Sequence, residues 1–248
     1  MSKLKLGLVG ENISKSPSPL IHNYIYKNYD IDASYNLYEI KREEFDKKIN
    51  DIINQNYGLN ITMPYKENVI KFLRGLSDKV EKIKAVNTIK ENIGYNTDYL
   101  AFKNILSNYE IKNALVLGAG GAARAAIHAI IELNVENLYI FNRTQERALN
   151  IIRELNKISN INVKLIKDIS SVKSDLIVNT VPIDLNLNTT KIYIDLVYLR
   201  KPKEIAPIII DGYNFLIEQA LLSDEIWFNI KFDEEVKKDL RKLIGKNF

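Results

Sequence analysis

The chain has no cysteine and only two histidines among its 248 residues. The first absence excludes disulfides, thiolate zinc sites and thiol nucleophiles together. Two imidazoles leave little for a His-rich metal centre, and no metal is expected. Charge of one sign is also lacking: 35 Lys and Arg face 31 Asp and Glu, a net +4. The two signs are interspersed, as on solvated helix faces, so no nucleic-acid partner is expected. No apolar run approaches the roughly 18 to 20 residues of a spanning helix, and no membrane partner is expected either. The opening MSKLKLGLVG is too short and too alternating for the apolar core of a signal peptide. The Asn-x-Ser/Thr triplets at Asn12, Asn60, Asn142 and Asn188 are therefore not read as glycosylation sites, and a cytoplasmic location is expected.

What is present is an ordinary globular balance, 46% hydrophobic and 27% charged, enough for one large domain or two small ones. Residues 3–10, 33–40 and 57–62 read as strands, and Pro19 opens a helix running to about Tyr29. Phe45, Ile49, Ile52 and Ile53 recur at helical spacing within 42–55. Two short helical pieces follow residue 62, and 85–97 reads as a small hairpin turning at KEN. A helix at 98–109 leads to a strand, a glycine turn and an Ala-rich helix over 113–134. Next come a strand at 137–144, an amphipathic helix at 145–158, strands at 175–181, 191–198 and 213–217, and a charged helix at 233–245. Alternating strands and helices predict an α/β fold. The expected domains are 1–98, 99–222 and a C-terminal helical segment, 223–248.

Gly118, Gly120 and Ala123 fit G-x-G-x-x-G/A between an apolar strand and an Ala-rich helix. The first glycine permits the tight turn, the second lets backbone approach a pyrophosphate, and the small third residue lets helix and strand pack closely. The helix N-terminus then favours the anion. A site for NAD ends the following strand in an acid that binds the ribose 2′-hydroxyl. Here that strand ends in Asn142, Arg143 and Thr144, with Arg147 one helical turn on. An arginine attracts a 2′-phosphate that an acid would repel, so the expected cofactor is NADP. Thr144 also stands where the next helix would be capped.

Two further groups carry chemistry. Lys66 ends NITMPYK and Asp98 ends GYNTD, each after a strand-like segment in the half without the glycine fingerprint. Hydride delivery to a ketone needs a proton donor at the developing alkoxide, and a lysine serves when a carboxylate controls its charge and position. The stretch SKSPSPLIHN at 14–23 collects three serines, read as a polar turn or as ligands for a substrate rich in oxygen.

Taken in order, S-x-S-P-x-I-H-N (Ser16, and Ser18 to Asn23), N-x-T-x-P-x-K (Asn60 to Lys66), A-V-N-T (85–88), G-x-N-T-D (94–98), G-A-G-G-A-A-R-A (118–125) and N-R-T (142–144) resemble the shikimate dehydrogenase family. The resemblance covers most of the chain. It implies an N-terminal α/β substrate domain plus a Rossmann NADP-binding domain, with the C-terminal helix packing back on the first domain. It implies hydride transfer between NADPH and 3-dehydroshikimate without a metal. By the same resemblance Ser16 and Ser18, with Tyr198, bind the substrate carboxylate. Asn60, Thr62, Asn87, Asp98 and Gln219 hold the ring hydroxyls. Lys66, supported by Asp98, handles the proton at the 3-position, and Gly118, Ala119, Gly120, Gly121 and Ala122 form the pyrophosphate turn. His22 is read as structural. A homodimer is compatible with the sequence.

Two segments depart from the family pattern near the expected nicotinamide site. Asp184 and Leu185 replace the Gly-Met of N-A-T-x-x-G-M. Asn214 and Phe215 replace the second glycine and the methionine of G-x-G-M-L. Asparagine tolerates a left-handed turn, and a phenylalanine at 215 is still able to cover the nicotinamide face. The loop 200–207 also lacks the usual Thr-Pro pair. These changes keep a quinate- or NAD-using relative, and a non-catalytic metabolite or nucleotide binder, as alternatives. A Rossmann methyltransferase would share the glycine loop but not the Lys66 and Asp98 motifs.

Overall fold

A computed structural model describes residues 3–198 and 200–247. The first strand, β1 (Leu4–Gly10), is followed by helix α1 (Ser18–Asn28), strand β2 (Ala33–Glu39), helix α2 (Arg42–Gln55) and strand β3 (Gly58–Ile61). A 3₁₀ turn at Asn68–Phe72 leads to β4 (Gly75–Leu76), α3 (Asp78–Ile83), β5 (Thr88–Lys90) and β6 (Ile93–Tyr95). Then come α4 (Thr97–Leu106), β7 (Asn113–Leu117), α5 (Gly121–Ile131), β8 (Asn137–Phe141), α6 (Gln145–Leu155) and β9 (Asn162–Leu165). After a 3₁₀ turn at Ile169–Ser171 the chain forms β10 (Leu176–Asn179), β11 (Ile192–Asp195), β12 (Ile208–Ile210), α7 (Gly212–Phe228) and α8 (Glu234–Asn247).

The strands make two six-stranded sheets, and the chain divides into two compact units. One holds residues 1–97 and 216–248, the other 98–215. The sheet of the first unit runs β2-β1-β3-β5-β6-β4. Its first three strands are parallel, because the crossovers pass through α1 and α2. β5 and β6 form an antiparallel hairpin whose turn residues, Glu91 and Asn92, both have positive φ, the geometry that matches strand twist. Phe45, Ile49 and Ile53 project from one face of α2 onto Leu59, Ile61 and Val9 of the sheet. The C-terminal segment supplies the other side: Trp227 is fully buried and its Nε1–H donates to Ile89 O at 2.9 Å. Gly58 is required there, since a Cβ at that position would run into the Trp227 indole.

The sheet of the second unit is fully parallel in the order β12-β11-β10-β7-β8-β9. Counted from β7, this is the doubly wound dinucleotide-binding order, which reverses between β7 and β10. Its central strands β7, β10 and β11 are mostly apolar and buried, as cover on both faces demands. Leu115, Leu117, Ile177 and Tyr193 form one core cluster, and Ala123, Ala125, Ala126 and Ala129 let α5 lie close to the sheet.

One assignment from the sequence is corrected. Residues 213–217 are not a strand but the first turns of α7, a helix of 17 residues. Asn214 accordingly has no left-handed backbone; its N–H donates to Asp211 Oδ1 at 2.7 Å in the helix's opening turn. The boundary between the two units falls between Phe215 and Leu216, inside α7, rather than at 222.

Candidate functional site

Each unit carries one set of predicted residues at the carboxyl ends of its parallel strands, where open α/β sheets bind ligands. In the first unit the order reverses at β1, which lies between β2 and β3. The loops leaving β1 and β3 therefore emerge side by side, joined by Thr62 N to Val9 O at 2.9 Å and Glu11 N to Met63 O at 3.2 Å. The β1 loop delivers Ser16 and Ser18 to the start of α1. Ser16 Oγ lies 3.1 Å from Ser18 Oγ and accepts from Ser18 N at 3.3 Å, while Ser14 is exposed. The β3 loop carries half-buried Thr62 and Lys66, and Lys66 O accepts from Val86 N at 2.7 Å, one residue before Asn87.

Behind these loops lies a buried amide and hydroxyl network. Asn60 Oδ1 accepts from Tyr35 OH at 2.6 Å. Asn60 Nδ2 faces Asn87 O, Thr88 Oγ1 and Ser223 Oγ at 3.0–3.1 Å. Asn87 Oδ1 accepts from Thr97 N at 2.6 Å, and Asn87 Nδ2 reaches Gln219 Oε1 at 3.4 Å. Ser223, one turn beyond Gln219 on α7, sits 3.0 Å from Thr88 Oγ1 and 3.1 Å from Thr97 Oγ1. Such groups both donate and accept, which suits a ligand rich in hydroxyls. Asn60, Asn87 and Gln219 are thus brought together. The reading from sequence missed Tyr35, Thr88, Thr97 and Ser223. Thr88 and Thr97 sit inside the quoted A-V-N-T and N-T-D motifs. Ser223 was concealed by the strand assignment at 213–217, because only a helix places it above Gln219.

In the second unit β7 is followed directly by Gly118, whose φ is +120°. A Cβ there would be strained and would strike Thr180 Oγ1, the first residue beyond β10. The glycine turn therefore sits at the switch point, held by Thr180 Oγ1 donating to Leu117 O at 2.7 Å. Gly120, the N-cap of α5, faces open space. That space, beside the first N–H groups of an 11-residue helix, fits a pyrophosphate. Asn142, Arg143 and Thr144 follow β8, with Asn142 Nδ2 donating to Thr144 O at 2.7 Å. Thr144 is the N-cap of α6, without a side-chain bond to the helix. Arg143 and Arg147 are exposed, and among the described residues neither pairs with a carboxylate. Two free guanidiniums where an NAD site has an acid fit a 2′-phosphate.

Asp98 is buried in the first turn of α4 and belongs to the second unit, as does Tyr198. Burial, then the neighbouring Tyr213 ring at 5.5 Å, raises the Tyr198 phenol above its ordinary value, so it remains a donor at neutral pH. Phe215 packs on Phe102, ring centroids 4.5 Å apart, and is almost wholly buried. It is a core residue of the second unit. Asp184 is exposed and paired with Lys203 at 2.7 Å, and Leu185 packs on the core.

A doubly wound parallel sheet with a glycine turn at its switch point, in one chain with a second α/β unit lined by hydroxyls and amides, defines a dinucleotide-binding α/β protein. Two family models match: the shikimate dehydrogenase substrate binding domain over residues 8–89, and shikimate / quinate 5-dehydrogenase over residues 100–205. The chain is 38% identical to the shikimate dehydrogenase (NADP(+)) of Sulfolobus acidocaldarius, covering 96% of this chain and 95% of that one. It is 33% identical to the shikimate dehydrogenase (NADP(+)) of Clostridium beijerinckii, covering 98% of each. Among solved structures it resembles shikimate dehydrogenase from Aquifex aeolicus (TM-score 0.83, 27% identity, 96% and 97% covered). It also resembles the shikimate 5-dehydrogenase of Thermus thermophilus in complex with NADP(H) and shikimate (TM-score 0.82, 25% identity, 97% and 99% covered). The chain belongs to the shikimate dehydrogenase family.

Proposed function

We propose that this chain is an NADP-dependent shikimate dehydrogenase, interconverting 3-dehydroshikimate and shikimate in the biosynthesis of aromatic amino acids. The observation that carries the reading is the near full-length match to NADP(+) shikimate dehydrogenases. The unpaired Arg143 and Arg147 beside a glycine turn without an acid support the choice of NADP. When bound, the cofactor supplies or accepts the hydride.

The chain's own residues do the rest. Ser16 and Ser18, at the N-terminus of α1, are assigned to the substrate carboxylate, where hydroxyls and helix N–H groups favour an anion. Tyr198 is assigned as a further donor. Asn60, Thr62, Asn87, Asp98 and Gln219 are assigned to the ring hydroxyls. An analogue lacking a hydroxyl would leave these buried polar groups unpaired and be rejected. Lys66 holds the proton exchanged at the 3-position oxygen, and Asp98 supports its charge. Gly118 to Ala122 take the pyrophosphate, and Asn142, Arg143, Thr144 and Arg147 the adenosine end. We place the chain in the cytoplasm, acting on a small molecule and not on nucleic acid or membrane. No helix among the described residues is long and apolar enough to cross a membrane.

The test compares kcat/KM for four pairings, shikimate or quinate with NADP+ or NAD+. Shikimate with NADP+ is expected to be highest; quinate with NAD+ highest would overturn the reading. Lys66→Ala is expected to lower kcat by roughly 10²-fold or more with KM for shikimate little changed. Near-normal turnover would remove Lys66 from the mechanism. Sedimentation of the purified chain reads whether it is a homodimer.

A further inference from the structure

Beneath the first unit's polar network lies an ionisable pair to which the mechanism assigns no role. His22 Nδ1 and Asp224 Oδ2 are 2.8 Å apart, and both side chains are fully buried. His22 stands one helical turn after Ser18 on α1, and Asp224 one residue after Ser223 on α7. The His22 ring stacks on Tyr35, centroids 4.1 Å apart and 12° from parallel, and lies 5.5 Å from Trp227. Tyr35 OH in turn donates to Asn60 Oδ1 at 2.6 Å. Burial, then the Asp224 charge, holds the Tyr35 phenol well above its ordinary value, so it stays a donor.

As a source of stability the pair is poor. His22 Nε2 is buried with no hydrogen-bond partner, and the nearby buried Tyr26 OH turns to the Asp224 carboxylate without forming a well-aligned bond. Burial raises the Asp224 carboxyl above its usual value despite the opposing His22. A buried pair of this kind gains little over apolar residues of similar volume, and its best-attested use is to select one arrangement among several. Here the arrangement matters. The pair ties α1, which carries Ser16 and Ser18 at its head, to α7, which carries Gln219 and Ser223. Its stacking partner also decides which way the Asn60 amide faces: with Tyr35 donating to Oδ1, Nδ2 must turn to Asn87, Thr88 and Ser223.

We propose that His22 and Asp224 are positioning residues for shikimate binding, setting the register of α7 on α1 and, through Tyr35, the orientation of Asn60. The proposal rests on the assignment of Ser16, Ser18, Asn60 and Gln219 to the substrate.

The experiment uses the full chain with two changes: Asp224→Asn, whose carbonyl still accepts from His22, and the paired apolar replacement His22→Phe with Asp224→Leu. KM for shikimate and for NADP+, kcat, melting temperature and the Kd of shikimate are measured. The Kd is read from the emission of Trp227, the chain's one tryptophan. The apolar pair is expected to keep the melting temperature while raising KM and Kd for shikimate ~10-fold, with KM for NADP+ unchanged. Asp224→Asn is expected to raise them less, about 3-fold, the rescue that a retained acceptor should give. An unchanged shikimate Kd in whichever variant folds overturns the proposal, and so does an equal rise for both ligands. Wild-type turnover separates the two readings. A wild type inactive on shikimate with NADP+ overturns the function and this inference together, whereas an active wild type with unaffected variants overturns this inference alone.

Discussion

Gly118 shows how one side chain that is missing can matter more than many that are present. Its positive φ and the Thr180 hydroxyl beside it exclude any Cβ. Gly118→Ala is therefore expected to weaken NADP+ binding by at least ~10-fold in calorimetry while Trp227 emission still titrates with shikimate. Arg143 makes the opposite argument, from a charge left unpaired. Arg143→Ala should raise KM for NADP+ by roughly 10-fold and leave KM for NAD+ nearly unchanged, since only the former has a 2′-phosphate to lose. Equal changes for both cofactors would remove the arginine from that role. Asp175 links pH to stability. Burial pushes its carboxyl up, but Lys191 and the N–H groups of Asn113 and Lys112 outweigh that and hold it below the usual carboxylate range. A folded-state value below the unfolded one contributes stability above the unfolded value, near pH 4, and that contribution is lost as pH falls through the folded value. Asp175→Asn should lower the melting temperature at pH 7 and flatten its decline as pH falls below about 4. The positions of the glycine turn and of the basic residues after β8 were legible in the sequence, because they are set by neighbours within a few residues. The burial of His22, Tyr26 and Asp224 was not, because burial is a property of what packs around them.

Among the elements, α7 is the one the sequence misrepresented. YNFLI alternates and is β-rich, so as an isolated window it reads as a strand. In the fold it opens a helix none of whose residues is exposed, polar ones included. That error hid the one-turn spacing of Gln219 and Ser223 and the seating of Trp227 at the helix's far end. Trp227 fills the space left by Gly58 and donates to Ile89 O. Trp227→Ala should cost about 3–5 kcal/mol of stability in a denaturant titration, the range for emptying a fully buried aromatic site. By contrast α2 was read correctly at both ends, since Phe45, Ile49 and Ile53 repeat at helical spacing and one sheet face receives them all.

For the molecule entire, the notable fact is that the first compact unit is discontinuous in sequence. It is built from residues 1–97 and 216–248. The tail brings Ser223 and Trp227 to a sheet, and Asp224 to helix α1, all formed more than a hundred residues earlier. A chain truncated after residue 215 is expected to lose the cooperative near-ultraviolet signal of the first unit, because the removed segment carries Gln219 and Ser223 of that unit's polar network and the buried Trp227. Retention of a full-amplitude transition would refute this. What could be read in advance was the family of chemistry: no thiol, no metal set, a glycine turn followed by arginines rather than an acid, and serine and asparagine motifs in order. These depend on residue type and short spacing, which the chain carries wherever it folds. Packing alone decided that 213–217 is helix, that Phe215 belongs to the core, and that His22 meets Asp224 across 202 positions. Contacts at such separation come from burying apolar surface cooperatively, and no local pattern records which distant partner that burial will bring.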